Sequence, residues 1–349
     1  LLHFTTVSYP EKVISVLKKL AFRRKVDQES LCVLNRQLGQ WYGDQVNTFI
    51  NQRGLECDNI DLIASHGQTT YHVPGSKTSG AATLQIADGD HIAESTGVPT
   101  VSDFRQKSIA AGGEGAPLTP FVDRLIFGSA SESRILLNIG GISNFTWLAR
   151  TNKHRKYEYF YSDTGPGNTL INAAVGHYYE GYSYDPEGSI ARRGTVRKKL
   201  LNALLEHPFF DRAAPKSTGP ESFSLQWVFD IKNEQNIAPL SPEDMIATLT
   251  RLSVESIARE LEKMDQNQLQ QARLFVSGGG YHNETMIEWL EKRLKPLKVE
   301  RFDKIGVPSD AREALSFAVL ANQCISGSGI PTGIGEKFQN KMIYPGKIS

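Results

Sequence analysis

The stretch RILLNIGGISNFTWL, residues 134–148, holds two strand-like runs, LLNI and ISNFTWL, joined at Gly140 and Gly141. Short apolar runs around a glycine pair predict a β-hairpin, and the turn of such a hairpin presents backbone N–H groups that can cradle phosphate oxygens. Two more glycine turns follow apolar runs: DTGPGN at 163–168 after residues 157–161, and SGGGYHN at 277–283 after RLFVS. Residues 157–175 read as strand, tight turn, helix, which puts Asp163 at a strand end. Gly165 and Gly167 there remove Cβ atoms where a ligand could approach, and the following helix offers unpaired N–H groups to an anion. For any one such turn the alternative is a structural bend, with Asp163 as a cap. Three in one half of the chain favour a nucleotide.

Working outward, residues 29–54 place Leu31, Leu34, Leu38 and Trp41 at helical spacing and stop at Gly54. IDLIAS (60–65), VPTV (98–101) and RILLNI (134–139) predict short strands that end in polar or glycine turns. SPEDMIATLTRLSVESIARELEK predicts a long helix with one buried face, Ser241 as N-cap, Pro242 at the first helical position and Asp244 as the capping-box acid. A further helical pattern runs from about 282 to 294. The alternation implies an α/β chain with a mostly parallel, covered sheet, whose ligands bind beyond the carboxyl ends of the strands. Two lobes are expected, 1–133 and 134–349, with the last helix a candidate to pack back on the first. None of the glycine turns matches the P-loop or the G-x-G-x-x-G dinucleotide fingerprint.

Lys and Arg number 39 against 38 Asp and Glu, so no global charge points to nucleic acid or an anionic membrane surface. The clusters KHRK at 153–156 and RRK at 23–25 read as solvated faces. Cys32, Cys57 and Cys324 are too scattered for a disulfide framework or a zinc site, and a reducing cytoplasm fits them. No apolar run approaches the roughly 18 residues of a membrane-spanning helix. The chain starts without Met and in mid-element, so a preceding N-terminal segment is expected.

Hairpin turns for phosphate and a strand-GGG-helix turn for adenosine resemble the two-lobed superfamily that includes hexokinase, actin and the heat-shock chaperone ATPases. Within it, SHGQTTYH (65–72), TLQIADG (83–89), SDFRQKSIAAGGEGAPLTP (102–120), LLNIGGISN, DTGPGN, APKSTGPESF (214–223), SGGGYHN and EALSFA (313–318) stand in the order seen in anhydro-N-acetylmuramic acid kinases. The resemblance covers residues 35 to 325. It departs at the start, where the family's G-T-S-x-D-G phosphate turn would lie before Leu1.

The resemblance implies a ribonuclease H-like, actin-type fold with a central cleft. It implies an enzyme that opens the 1,6-anhydro sugar ring with water and phosphorylates the freed O6 from ATP, with Mg2+ required by the reaction rather than by a recognised ligand set. Asp163 matches the base that activates the water, and a carboxylate held beside a strand end suits that task. Glu313 matches a second carboxylate; by position alone it is a helix N-terminal acid complementing the dipole. Arg105 offers a bidentate fork to a carboxylate or to sugar hydroxyls, or else pairs with Asp103. His66, Gln68 and Thr69 are candidate sugar contacts, since His66 and His72 six apart share no helical face and no third ligand is near. Gly140, Gly141, Asn144, Gly165, Gly167, Asn168, Gly278, Gly279, Gly280 and Asn283 are the nucleotide candidates. Lys216 and Ser217 can meet sugar or phosphate, or form an ordinary loop. A homodimer is implied by resemblance only. The rival readings are a levoglucosan kinase and a nonenzymatic ATP-dependent sugar sensor.

Overall fold

The computed structural model describes residues 1–73, 75, 80–150, 159–327, 329–331 and 342–349. The KHRK cluster at 153–156 and Tyr157, which opens the run before Asp163, lie outside them. The chain divides into two compact units, residues 1–122 with 311–349, and residues 123–310.

In the first unit, α1 (Glu11–Leu20) precedes the long α2 (Gln28–Gln52). The Asp27 carboxylate caps α2 by accepting from Ser30 N at 2.9 Å, and Gly54, at φ +62, sits just past its end. Leu34 and Leu38 are fully buried, whereas Leu31 and Trp41 stay half-buried at the edge of that stripe. There follow β1 (Ile63–Ala64), β2 (Gln68–Val73), β3 (Ala82–Ile86), α3 (Gly89–Thr96) and β4 (Thr100–Ser102). β1 pairs with β4 in parallel and β2 with β3 in a hairpin. The strands at 63–64 and 100–102 are shorter than the apolar runs that predicted them.

The second unit carries β5 (Ser133–Ile139), β6 (Ile142–Leu148), β7 (Tyr159–Pro166), α4 (Thr169–Tyr178), α5 (Pro242–Glu262), β8 (Ala272–Ser277), α6 (Glu284–Arg293) and β9 (Val299–Arg301). Its sheet has the order β7-β6-β5-β8-β9. β5 pairs antiparallel with β6 and β6 with β7, while β5–β8 and β8–β9 are parallel. The sheet is therefore mixed, not mostly parallel: the two-glycine turn sends the chain straight back, so β6 must oppose its neighbours. This open α/β sheet, a three-strand meander with two parallel strands added beside its first strand, is the ribonuclease H-like order.

The chain then returns to the first unit through α7 (Arg312–Ile325), β10 (Ile330–Pro331), β11 (Met342–Ile343) and β12 (Lys347–Ile348). β12 adds to the far side of β4, antiparallel.

Helix α5 departs from the expected single buried face. Ile246, Leu249, Leu252, Ile257 and Leu261 are at 0 % exposure, but Thr248, Thr250, Ser253 and Ser256 on other faces are buried as well. It is a central helix wrapped by α4, α6 and β7; Thr248 Oγ1 turns back on Asp244 O and Ser256 Oγ on Ser253 O, Ser253 Oγ donates to Gly167 O at 2.7 Å, and Thr250 Oγ1 is buried without a hydrogen-bond partner among the described residues. The capping box closes on one side only. Ser241 Oγ accepts from Asp244 N at 3.1 Å, while the Asp244 carboxylate turns away to accept from Thr195 N and Arg197.

Candidate active site

Because β6 runs against both neighbours, β5, β7 and β8 point the same way, and their carboxyl ends fall on one edge of the sheet. That brings the three glycine turns together. Asn168 N donates to Gly140 O at 2.8 Å, Asn168 Nδ2 donates to Ile139 O at 3.2 Å, and a Cβ on Gly279 would point at Asn168 Nδ2 from 3.8 Å. Asn168 is thus the joint of all three turns.

The glycines separate by what surrounds them. A Cβ on Gly167 would lie 2.3 Å from Gly140 O, one on Gly280 2.2 Å from Ile139 Cγ2, and one on Gly165 2.8 Å from Phe210 Cε1. The missing Cβ at 165 and 167 therefore makes room for protein, not for a ligand as the sequence suggested. Gly278, at φ +84, is held against Asn138 and Ile139 in the same way, and a Cβ on Gly141 would lie 2.9 Å from Thr169 Oγ1. Gly140 and Gly279 are open, with nothing nearer than 3.5 and 3.8 Å. The expected offer of α4 amides to an anion also fails at the first positions. Gly167 N and Thr169 N donate to Gly141 O at 2.8 and 3.1 Å, so hairpin carbonyls already cap that end. The N–H groups of Gly140 and Gly141 take no backbone acceptor among the described residues.

Beside Asn168 lies a cavity of about 590 Å³ lined by Tyr184, Asp185, Gly279, His282 and Asn283. Its size suits a nucleoside. Asp185 and Asn283 reach it from fixed positions: Asp185 accepts from Ile190 N and Ala191 N, and Asn283 Oδ1 caps α6 by accepting from Met286 N at 2.9 Å. A larger concavity, about 800 Å³, runs beside exposed α1 among Glu11, Lys18, Lys19 and Arg23. It gathers solvated charge and no convergent set of buried polar groups, so the cavity at the glycine turns is the candidate site.

Asp163 lies inside β7, three residues before its end, opposite Asn144 of β6 at a register shift. Asn144 accordingly stands beside the carboxylate and not in the glycine turn. Asp163 is 5 % exposed. Tyr161 Oη donates to its Oδ1 and Thr218 N to its Oδ2, both at 2.8 Å. Burial raises the carboxyl pKa above the ordinary value, against the pull of the Thr218 amide, the Tyr161 hydroxyl and the Lys216 charge. A carboxylate with a raised pKa is a stronger base than a solvated aspartate.

In the first unit, Arg105 Nε donates to His66 Nε2 at 3.0 Å and Nη1 to Gly115 O at 2.9 Å. The first bond makes His66 Nε2 an acceptor, which assigns the neutral ring's proton to Nδ1. Burial first, then the Arg105 charge, push the His66 pKa down to about 4. The His66 ring stacks on Phe317 at 4.4 Å. Glu313 stands one turn earlier on α7, on the Phe317 face; burial lowers the Arg105 pKa, and the Glu313 charge opposes that fall. Asp103 is not the Arg105 partner; it pairs with Lys347 at 2.6 Å. Gln68 accepts from Tyr9 Oη at 3.3 Å, and Thr69 Oγ1 accepts from Gln85 Nε2 at 3.1 Å.

Lys216 is not a loop cation free to meet a ligand. Its side chain is 1 % exposed and its Nζ sits 2.7 Å from Glu260. Tyr161, Thr218, Tyr184 and His282 were missed in the sequence. Tyr161 was recoverable, since two residues before Asp163 on a strand means the same face. His282 stands within the SGGGYHN turn itself, whereas Tyr184 and Thr218 are brought in by other segments of the chain. Among the described residues no three of His, Cys, Asp or Glu gather into a metal site.

A family model described as anhydro-N-acetylmuramic acid kinase matches residues 1–341. The anhydro-N-acetylmuramic acid kinase of Pseudoalteromonas atlantica is 41% identical, covering 100% of this chain and 87% of that protein. The relative of the same name from Caldanaerobacter subterraneus is 36% identical over 100% of this chain and 89% of its own. Among solved structures, the activator of 2-hydroxyisocaproyl-CoA dehydratase from Clostridium difficile aligns at TM-score 0.37 and 13% identity, over 71% of this chain and 87% of that one. At that level the fold rests on the sheet order and not on the superposition.

Proposed function

The chain belongs to the anhydro-N-acetylmuramic acid kinase family, and from that premise we propose that it is an ATP-dependent sugar kinase which opens 1,6-anhydro-N-acetylmuramic acid with water and phosphorylates O6, giving N-acetylmuramic acid 6-phosphate. The observation that carries the reading is Asp163: a buried carboxylate fixed through both oxygens and placed one strand from the open glycine hairpin. In the proposed reaction Asp163 takes a proton from a water that attacks the anomeric carbon. The bond from that carbon to O6 breaks, and O6 takes the γ-phosphoryl group of ATP as the γ-phosphorus parts from the β-phosphate oxygen and ADP leaves. Arg105, His66, Gln68 and Thr69 are proposed to bind the sugar, with the Arg105 fork suited to its carboxylate. Glu313 is proposed to assist, its charge offsetting the burial of the Arg105 guanidinium.

For ATP, the fit is given by the open faces of Gly140 and Gly279 and the cavity beside them. Backbone N–H groups of the hairpin would take phosphate oxygens, and the cavity the adenosine. With no cluster among the described residues to hold it alone, Mg2+ would arrive on the phosphates and offset their charge. No helix of the described residues is long and apolar enough to cross a membrane. A cytoplasmic homodimer serving cell-wall recycling completes the proposal.

The test is turnover of 1,6-anhydro-N-acetylmuramic acid with ATP and Mg2+ in oxygen-18 water, read by mass spectrometry. One heavy oxygen in a phosphorylated product is expected. Unlabelled phosphorylated product would remove water, and with it the role of Asp163; turnover of levoglucosan alone would move the substrate.

A further inference from the structure

Lys216 and Glu260 form an ion pair in the apolar interior of the second unit, with side chains 1% and 3% exposed. Lys216 Nζ also donates to Phe209 O at 3.1 Å and lies 4.4 Å from the Phe209 ring centroid. Lys263, half exposed just past the end of α5, shares the same Glu260 oxygen at 2.9 Å. Glu260 Oε1 accepts no hydrogen bond among the described residues. A pair buried like this loses hydration on both ions, so an apolar pair of similar volume would hold the fold as well or better. Stability alone does not account for it.

The backbone of the same residue does. Asp163 N donates to Lys216 O at 3.0 Å, Lys216 N donates to Ser162 Oγ at 3.3 Å, and two residues on, Thr218 N donates to Asp163 Oδ2. The segment 216–218 is therefore laid along β7 and supplies one of the two hydrogen bonds that orient the carboxylate. Its other end is nailed to α5 through Nζ.

We propose that the Lys216–Glu260 pair is a positioning device for Asp163: it anchors the 216–218 segment to α5, and so holds the Thr218 N–H on the carboxylate and a positive charge behind it. The inference rests on Asp163 acting as the base. The groups facing Asp163 are Tyr161 from its own strand and Thr218 and Lys216 from the segment; those facing Lys216 are Glu260 from α5 and Lys263 just past its end.

The experiment uses the full chain with ATP, Mg2+ and 1,6-anhydro-N-acetylmuramic acid, and three variants: Lys216→Met/Glu260→Gln, which removes both charges at nearly constant volume, Glu260→Gln alone, and Asp163→Asn. For either pair variant, kcat per folded molecule is expected to fall at least tenfold while the sugar KM changes less than threefold. For the double variant the acid limb of kcat/KM against pH moves to higher pH, because the cation that held the Asp163 pKa down is gone. Wild-type kcat with an unmoved limb in a folded pair variant would overturn the inference while leaving an inactive Asp163→Asn, and the base role, intact. An active Asp163→Asn removes both. If neither pair variant folds, the pair is structural and the inference falls.

Discussion

The two candidate clusters are built by different means. Around Asp163, in the second unit, the parts are mostly backbone: a strand register, a peptide N–H from Thr218 and carbonyls that cap α4, with the Tyr161 hydroxyl beside them. Around His66, in the first, they are side chains: an Arg105 fork on an imidazole, a ring stack on Phe317 and a carboxylate a turn away. Backbone hydrogen bonds are set by how their segments lie, so the Asp163 cluster keeps its geometry as long as β7 and the 216–218 segment are held in place. A side-chain cluster can be altered one group at a time without disturbing the strands. The first arrangement suits a group that must hold one atom in line; the second suits tuning for a ligand.

The largest effect expected from this contrast is at Asp163. Asp163→Asn keeps the Tyr161 and Thr218 partners within reach yet removes the base, and turnover should drop by about 10² to 10⁴ with ATP affinity unchanged. Steady-state kinetics beside calorimetric ATP titration reads both. In the unaltered enzyme, activity needs the ionised carboxylate, so it should decline as pH falls through a pKa raised above that of a solvated aspartate.

Next come the glycines, which test whether the backbone cluster is as rigid as its contacts imply. Gly167→Ala forces a methyl against a carbonyl at 2.3 Å and should cost about 1 to 3 kcal/mol of stability by urea melt. Gly279→Ala meets nothing within 3.5 Å. It should leave stability within about 1 kcal/mol and weaken ATP binding instead. Equal stability losses at the two would erase the distinction between packing and ligand glycines.

On the side-chain cluster, Arg105→Lys loses the fork and the bond to His66, and the sugar KM should rise by roughly tenfold, the worth of about 1.4 kcal/mol. His66 supplies a stability signature of its own. The folded chain keeps it neutral down to about pH 4, while the unfolded chain protonates near 6.5. Between those values the unfolded state binds more protons, so stability should fall as pH drops through that window, and His66→Gln should flatten the fall. The smallest effect belongs to Asp103→Asn. Its partner Lys347 is mostly exposed, and the loss should be under about 1 kcal/mol in a thermal melt.

Much of this was legible in advance because it is local. The hairpin at Gly140, the Ser241 cap, the strand-turn-helix after residue 159 and the three glycine turns each follow from neighbours in sequence. What was misread needed a partner from elsewhere. Gly165 looked like room for a ligand until Phe210 filled it, and Lys216 looked like a loop cation until Glu260 claimed it. Helix α5 read as one-faced because its own sequence does not show that α4, α6 and β7 wrap it, or that Gly167 O receives the Ser253 hydroxyl.

Periodicity and turn chemistry in the sequence determined the α/β class and the order of its elements, because these depend on residues within one turn or one strand, while the resemblance of its ordered motifs to a known family singled out Asp163. Only the tertiary structure decided that three strands end on the same edge, that Asn168 joins their turns, and that a peptide N–H from residue 218 orients an aspartate 55 residues earlier. Burial and hydrogen bonding across such distances depend on how the chain returns upon itself, and no window of the sequence contains both partners.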